Sequence, residues 1–293
     1  MDGVIVVDKP EGWTSHDVVG KMRRITNIRK IGHLGTLDPI ATGVLPLVIG
    51  RATRLAQFYT HGDKIYEALV RFGFATDTYD RSGAPVSPAV ATHLDAVNWE
   101  ELLSHFRGEI WQTPPPVSAK KVDGKRAYAL ARSGAAVELE PVRVQVYELA
   151  LLDVRGAEAR LRAHCSGGTY MRSIAHDLGQ ALGYGAHLQE LRRTASSEFT
   201  AGQARTIPQL EALAVEARLG DVVIPAASLL PEFSTVYVEP AVAGQIRQGR
   251  NFPVSPFRAE PRAQYVKAVS LEGELIAIGE AVLPSLYHPA VVL

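Results

Sequence analysis

The stretch from Gly32 to Gly43, GHLGTLDPIATG, holds a single carboxylate, Asp38, immediately before Pro39. A residue that precedes proline is driven toward extended backbone, which limits the directions its side chain can take. A carboxylate aimed in this way can serve as a nucleophile or a general base. Taken alone, an Asp before Pro in a Gly- and Thr-rich loop is more often a turn former, so the chemical reading needs support from the rest of the chain. Metal chemistry finds little footing: the nine histidines include no HExxH pair, and Cys165 is the one cysteine. That single cysteine also excludes an internal disulfide. Nucleotide loops are missing too, since no GxGxxG follows a strand and no glycine-rich loop ends in Gly-Lys before Ser or Thr. No cofactor is implied.

A loop that carries chemistry must be held by regular elements on both sides. Ahead of it, GVIVV reads as a short buried strand bounded by Asp8, Lys9 and Pro10. Thr14 and Asp17 stand at capping-box spacing, and Val18, Met22 and Ile25 recur at helical period, which predicts a helix over about 15–26. After the loop, Lys64 to Phe74 alternates, with Tyr66, Ala68, Val70 and Phe72 on one face of a half-exposed strand. Asn98 and Glu101 mark a capped helix. Val142, Val144 and Val146, then Leu161, Ala163 and Cys165, predict two strands with only a tight turn between them, which favours antiparallel pairing. Beyond Ser166, Gly167 and Gly168, the residues Met171, Ile174, Ala175, Leu178 and Leu182 keep helical spacing up to Gly183.

The 293 residues are 46% hydrophobic and 21% charged, enough to bury a sizeable core and far from collagen-like, coiled-coil or disordered composition. Neither a signal-peptide core nor a membrane span is present, and a cytoplasmic setting is expected. Lys and Arg total 31 against 31 for Asp and Glu, so any attraction to nucleic acid must come from how the charges are distributed. Two basic clusters stand out. Lys21, Arg23, Arg24, Arg29 and Lys30 form the first, equally readable as a solvated helix face. The second is QTPPPVSAKKVDGKRAYALARSG, residues 112–134, where Lys120, Lys121, Lys125, Arg126 and Arg132 oppose only Asp123. Three prolines stiffen its entry, and it reads either as an arm standing off the body or as an ordinary exposed hairpin or helix. From Ser196 to Glu232 the pattern loosens. A boundary near residue 233 then introduces a small, mostly β segment with alternation in VYVEP, QYVKAVSL and ELIAIGEAV.

The string KIGHLGTLDPIATGVLPLVIGRATRL, residues 30–55, closely resembles the signature loop of the bacterial TruB family of tRNA pseudouridine-55 synthases. DKPEGWTSHDVV, KIYEALVRFGFATDTYDRSG, the 112–134 block, CSGGTYMRSIAHDLG and LRRT resemble further blocks of that family, in its order. The final segment is similar, more loosely, to a PUA RNA-binding domain. Val117 departs from the pattern, standing where the family has an aromatic or other larger residue before Ser118.

The resemblance implies an α+β protein with a mixed, largely antiparallel central sheet, the pseudouridine synthase fold. It implies a catalytic domain over 1–232, with an RNA-clasping arm at about 112–134, and a PUA-like domain over 233–293. The implied activity is isomerisation of uridine to pseudouridine at position 55 in the T loop of tRNA. Asp38 would be the nucleophile, attacking C1′ of the ribose or C6 of the base. Arg172 would pair with Asp38 and keep it ionised. Tyr66 would stack on the flipped-out base and is a candidate for handling the C5 proton. Tyr170 and Leu191 would close the pocket, His33 would insert into the RNA loop, and Lys9, grouped with the substrate-binding residues, would support the active-site loops. The implied partner is the T arm of tRNA, with no cofactor, metal, membrane or protein partner, and a monomer is expected. Acidic residues such as Glu138, Glu140, Glu211 and Glu216 are expected on a face remote from the basic clusters. A guide-RNA-dependent relative, a non-enzymatic RNA-binding protein and a metabolic enzyme on a similar fold are the competing readings.

Overall fold

A computed structural model describes residues 1–86, 88–117, 121–122, 125–126, 139–255 and 263–293. Most of the expected arm beyond Val117 lies outside the described residues. Its one described element is a pair of two-residue strands, β6 (Lys121–Val122) and β7 (Lys125–Arg126).

The chain opens with β1 (Gly3–Lys9) and α1 (Ser15–Thr26). The Thr14 hydroxyl accepts the Asp17 amide at 3.1 Å and the Asp17 carboxylate accepts the Thr14 amide at 2.8 Å, so the predicted capping box is present. The segment predicted as loop from Gly32 to Gly43 is shorter than expected, because β2 (Ile31–His33) and β3 (Ala41–Ile49) claim both ends of it. Next come β4 (Lys64–Phe72), α2 (Trp99–Ser104), β5 (Gly108–Gln112), β8 (Val142–Arg155), β9 (Glu158–Cys165) and α3 (Met171–Ala181). Three further elements have no counterpart in the pattern-based reading: β10 (Ala186–Ser196), β11 (Phe199–Thr200) and α4 (Ile207–Val215).

These strands and β12 (Ile224–Pro225) build a sheet of ten strands among the described residues, ordered β12-β1-β3-β10-β4-β9-β8-β5, with β2 also on β3 and β11 on β10. Only β10 and β3 run parallel; the other neighbours are antiparallel. The architecture is therefore α+β with a mixed, largely antiparallel sheet. On β4 the expected alternation holds: Tyr66, Ala68, Val70 and Phe72 are buried, while Ile65, Glu67 and Leu69 are half-exposed. Their buried face joins α1 and α3 in one core through Val18, Met22, Ile174 and Leu178, each worth about 1.5–3 kcal/mol of burial.

The C-terminal stretch forms its own five-stranded sheet, ordered β13 (Ser234–Val238), β15 (Tyr265–Ser270), β16 (Leu275–Leu283), β17 (Leu286–Val292) and β14 (Phe252–Pro253). A helix that the β-rich reading did not foresee, α5 (Pro240–Arg247), packs on it through Ala243 and Ile246. A second core joins this sheet to the back of the large one: Val4, Val6, Val44 and Val48 cluster with Val269, Leu275, Ile278 and Val291. Among the described residues no helix is long and apolar enough to cross a membrane.

Candidate active site

The segment between β2 and β3 is tied down at nearly every residue. The Ser15 hydroxyl accepts the Leu37 amide at 2.9 Å and donates to the Leu37 carbonyl at 3.2 Å. The Ala41 amide donates to the Asp38 carbonyl at 3.0 Å, which makes Asp38–Ala41 a turn with Pro39 at its second position. Asp38 is thus a turn former, as its local sequence suggests, and the turn also presents its carboxylate to a cleft.

Two buried cations brace this loop from beneath. Lys9, with no exposed surface, donates to the carbonyls of Trp13 at 2.6 Å, Pro10 at 2.8 Å and Pro39 at 3.4 Å. Burial pushes its ammonium down to about 8, against the opposing pull of the Asp38 charge. Arg193, equally buried, donates from Nε to the Val44 carbonyl at 2.7 Å and from its terminal nitrogens to Gly35 at 3.1 Å and Thr36 at 3.3 Å. Gly43 lets the two strands close on each other. Its φ is +99°, and a Cβ there would lie 2.2 Å from the Arg193 carbonyl oxygen.

Arg172 enters from the first turn of α3 and is 5% exposed. Its Nε lies 2.9 Å from Asp38 Oδ2 and 3.8 Å from Asp80 Oδ2, so one guanidinium faces two carboxylates. Its Nη1 donates to the carbonyls of Val117 at 2.9 Å and Thr78 at 3.3 Å. The Nε–Asp38 contact has the distance of a charge pair without the alignment of a hydrogen bond. Asp80 is buried and held by its own turn: Oδ1 accepts the Thr78 hydroxyl at 2.8 Å, the Ser82 amide at 2.9 Å and the Ser82 hydroxyl at 2.5 Å.

Asp38, Tyr66, Tyr170, Arg172 and Leu191 all line one cleft of about 280 Å3, together with Leu37, Thr60, Lys64 and Met171. That is near the ~300 Å3 lower end for small-ligand sites, room for a single nucleoside unit. Register explains the convergence. Arg193 of β10 stands opposite Tyr66 of β4 and beside Gly43 of β3, while Leu191 stands opposite Ala68 and beside Ala41. Burial raises the Tyr66 phenol above its ordinary range, so it stays protonated at neutral pH. Burial likewise lowers the Lys64 ammonium. A carboxylate at the wall of a cleft, paired with a fixed guanidinium and faced by a neutral aromatic, is equipped for nucleophilic attack on a flat, uncharged ring system or its sugar.

His33 is not among the residues that line this cleft. It sits half-buried at the end of β2 in edge contact with His16, ring centroids 5.8 Å apart, and burial lowers its imidazole. Lys9, grouped with the substrate-binding residues, has no exposed surface and lies beneath the loop, bonded to the carbonyls of Pro10, Trp13 and Pro39. The expected remoteness of the acids also fails for Glu211, which pairs with Lys21 of the first basic cluster because α4 packs against α1. Glu216 pairs with Arg218, and Glu138 lies outside the described residues. Pattern-based reasoning missed Asp80, Arg193 and Gln112, whose flanking residues carry no signal of their burial. Among the described residues no group of three His, Cys, Asp or Glu is placed to hold a metal.

Residues 23–171 match the model of the TruB family pseudouridylate synthase N-terminal domain, and residues 172–231 match that of the tRNA pseudouridylate synthase B C-terminal domain. The chain is 68% identical over 293 residues, all of both chains, to the tRNA pseudouridine synthase B of Solibacter usitatus. It is 41% identical over 282 residues, 96% of each chain, to the protein of the same name from Aquifex aeolicus. Among solved structures it resembles a chain of an H/ACA RNP bound to a substrate RNA containing 2′-deoxyuridine. The TM-score there is 0.73 at 28% identity, over 97% of this chain and 79% of the other. A Cbf5-Nop10-Gar1 complex is similar at TM-score 0.72 and 28% identity, with the same coverage.

Proposed function

This chain belongs to the TruB family of pseudouridylate synthases and isomerises uridine in tRNA, and from that premise we propose that its target is position 55 in the T loop and that Asp38 is the nucleophile. The observation that carries the proposal is the Asp38 carboxylate, 2.9 Å from the buried Arg172 guanidinium at the wall of a cleft that also holds Tyr66.

A uridine stacked in a folded loop must first be extruded, at a cost of a few kcal/mol. His33, outside the cleft, fills the place the base leaves. In the cleft the base lies against Tyr66, with Tyr170 and Leu191 closing the walls. An Asp38 oxygen adds to C1′, or to C6 of the base. On the first route the N1–C1′ bond breaks with its electron pair kept on the ring. The base then turns, C5 bonds to C1′ and expels the carboxylate, and last the C5 proton leaves while N1 takes a proton up. Tyr66, protonated, serves by stacking and by relaying that proton, not as a standing tyrosinate base. Arg172 offsets the charge on Asp38 before attack and again on its release.

The sheet of residues 1–232 bears the cleft, and residues 233–293 serve as the RNA-binding, PUA-like module. The basic clusters supply phosphate contacts, so tRNA binding weakens as salt rises. The test is to incubate purified protein with unmodified tRNA, treat with carbodiimide and look for a reverse-transcription stop at the T-loop uridine. The stop is expected with the parent protein and absent with Asp38→Asn, which keeps tRNA affinity within about tenfold. Turnover by Asp38→Asn refutes the nucleophile assignment. No stop with protein and tRNA alone refutes stand-alone action and favours the guide-RNA-dependent reading.

A further inference from the structure

Gln112, the last residue of β5, is 1% exposed and meets both backbone groups of Tyr170. Its Oε1 accepts the Tyr170 amide at 2.7 Å and its Nε2 donates to the Tyr170 carbonyl at 3.0 Å. Tyr170 is the cap of α3, and its own side chain makes no capping bond, so the helix that carries Arg172 is capped by a side chain from another strand. Two more ties join the same two segments. Ser173 Oγ donates to the Thr113 carbonyl at 2.7 Å, and Arg172 Nη1 donates to the Val117 carbonyl at 2.9 Å. Between these ties lie Pro114, Pro115 and Pro116, whose fixed φ makes a stiff spacer. Residues 112–117 therefore act as a splint along 170–173, fastened at both ends.

We propose that Gln112 is a positioning residue for the isomerisation: by clamping Tyr170 it sets where α3 begins and hence where the Arg172 guanidinium meets Asp38. This rests on the reading of Arg172 as the group that holds Asp38. An Arg172 displaced by about 1 Å is enough for a rate loss on the order of 100-fold. The clamp needs an acceptor and a donor on one planar group, which the amide of Gln supplies at this reach. Gln112→Met keeps length and burial and removes both bonds. Gln112→Glu keeps the acceptor and, ionised, lacks the donor.

The experiment compares parent, Gln112→Met and Gln112→Glu in single-turnover assays at saturating enzyme, with tRNA Kd measured by filter binding and melting temperature as a fold check. The expected result is a rate about 10- to 100-fold lower in Gln112→Met, an intermediate rate in Gln112→Glu, and Kd within threefold of the parent for both. If Gln112→Met melts below the assay temperature, the lower rate with unchanged Kd is sought in Gln112→Glu. Unchanged single-turnover rates overturn the proposal. So does a Kd weakened tenfold with the saturated rate intact, which would make Gln112 an anchor for RNA contact. Turnover by Asp38→Asn, measured alongside, would instead remove the nucleophile reading.

Discussion

Arg193→Met tests whether the loop that carries Asp38 is held from below. The side chain has no exposed surface and donates to three carbonyls, Val44 at 2.7 Å, Gly35 at 3.1 Å and Thr36 at 3.3 Å. Hydrogen bonds from a charged donor are worth about 1.5–3 kcal/mol each, so the gross loss is roughly 4.5–9 kcal/mol. Burying an unpaired cation costs several kcal/mol, which the substitution returns, leaving a net loss of about 3 kcal/mol. For a chain of this size that is a fall in Tm of roughly 6–12 °C. The rate should suffer separately, because Gly35 and Thr36 lie within three residues of Asp38. At a temperature where the variant is fully folded, the single-turnover rate should drop about 10- to 100-fold with tRNA affinity little changed. Arg193→Lys should lose most of the same ground, since one compact ammonium cannot replace a fork aimed at three acceptors. Scanning calorimetry and the single-turnover assay read the two effects. A Tm within 2 °C of the parent, together with a rate within about twofold, would mean the loop supports itself and the reasoning from these bonds is wrong.

Gly43→Ala places a Cβ 2.2 Å from a backbone oxygen at a φ of +99°, and should lower stability by about 3 kcal/mol or more; an unchanged urea midpoint would contradict this. Asp80→Asn leaves Arg172 facing one carboxylate instead of two, and should reduce the single-turnover rate on the order of tenfold while Kd holds; a parental rate would show that the 3.8 Å approach carries no weight. Lys9 loses its proton near pH 8 and with it one of its three donors, so activity should decline as pH rises through about 8, and a flat rate profile to pH 9.5 would refute that. Because its folded value lies below the ordinary 10.5, the unfolded chain binds more protons between pH 8 and 10.5. This group therefore makes stability rise with pH in that window, and unfolding at Lys9 does not explain a decline.

Where local chemistry decides the structure, sequence was sufficient. The Thr14–Asp17 box announces α1, alternation announces β4, and the glycine turn before Met171 announces α3. β10 escaped because bulges between Leu188 and Glu190 and between Arg193 and Ala195 break its period of two, and because Arg192 and Arg193 look like surface. The capping box at Thr206 and Gln209 marks the start of α4, but Pro208 within its first turn and Pro225 beyond it read as breaks in a short apolar stretch. In the site, Asp38, Tyr66, Tyr170, Arg172 and Leu191 line one cleft. Arg193, Asp80 and Gln112 did not stand out, since each owes its burial to strands far away in the chain, and nothing in the flanking residues signals it.

The valines on the reverse of β1 and β3, on the opposite side from α1, rest against Val269, Leu275, Ile278 and Val291 of the C-terminal sheet. β3 begins at Ala41, the residue that completes the Asp38 turn. The tail is therefore a foundation under the Asp38 turn and not a detachable handle. Cutting the chain near residue 233 would strip the wall on which the acid stands, and grafting a foreign module there would succeed only if it brought an equally greasy footing.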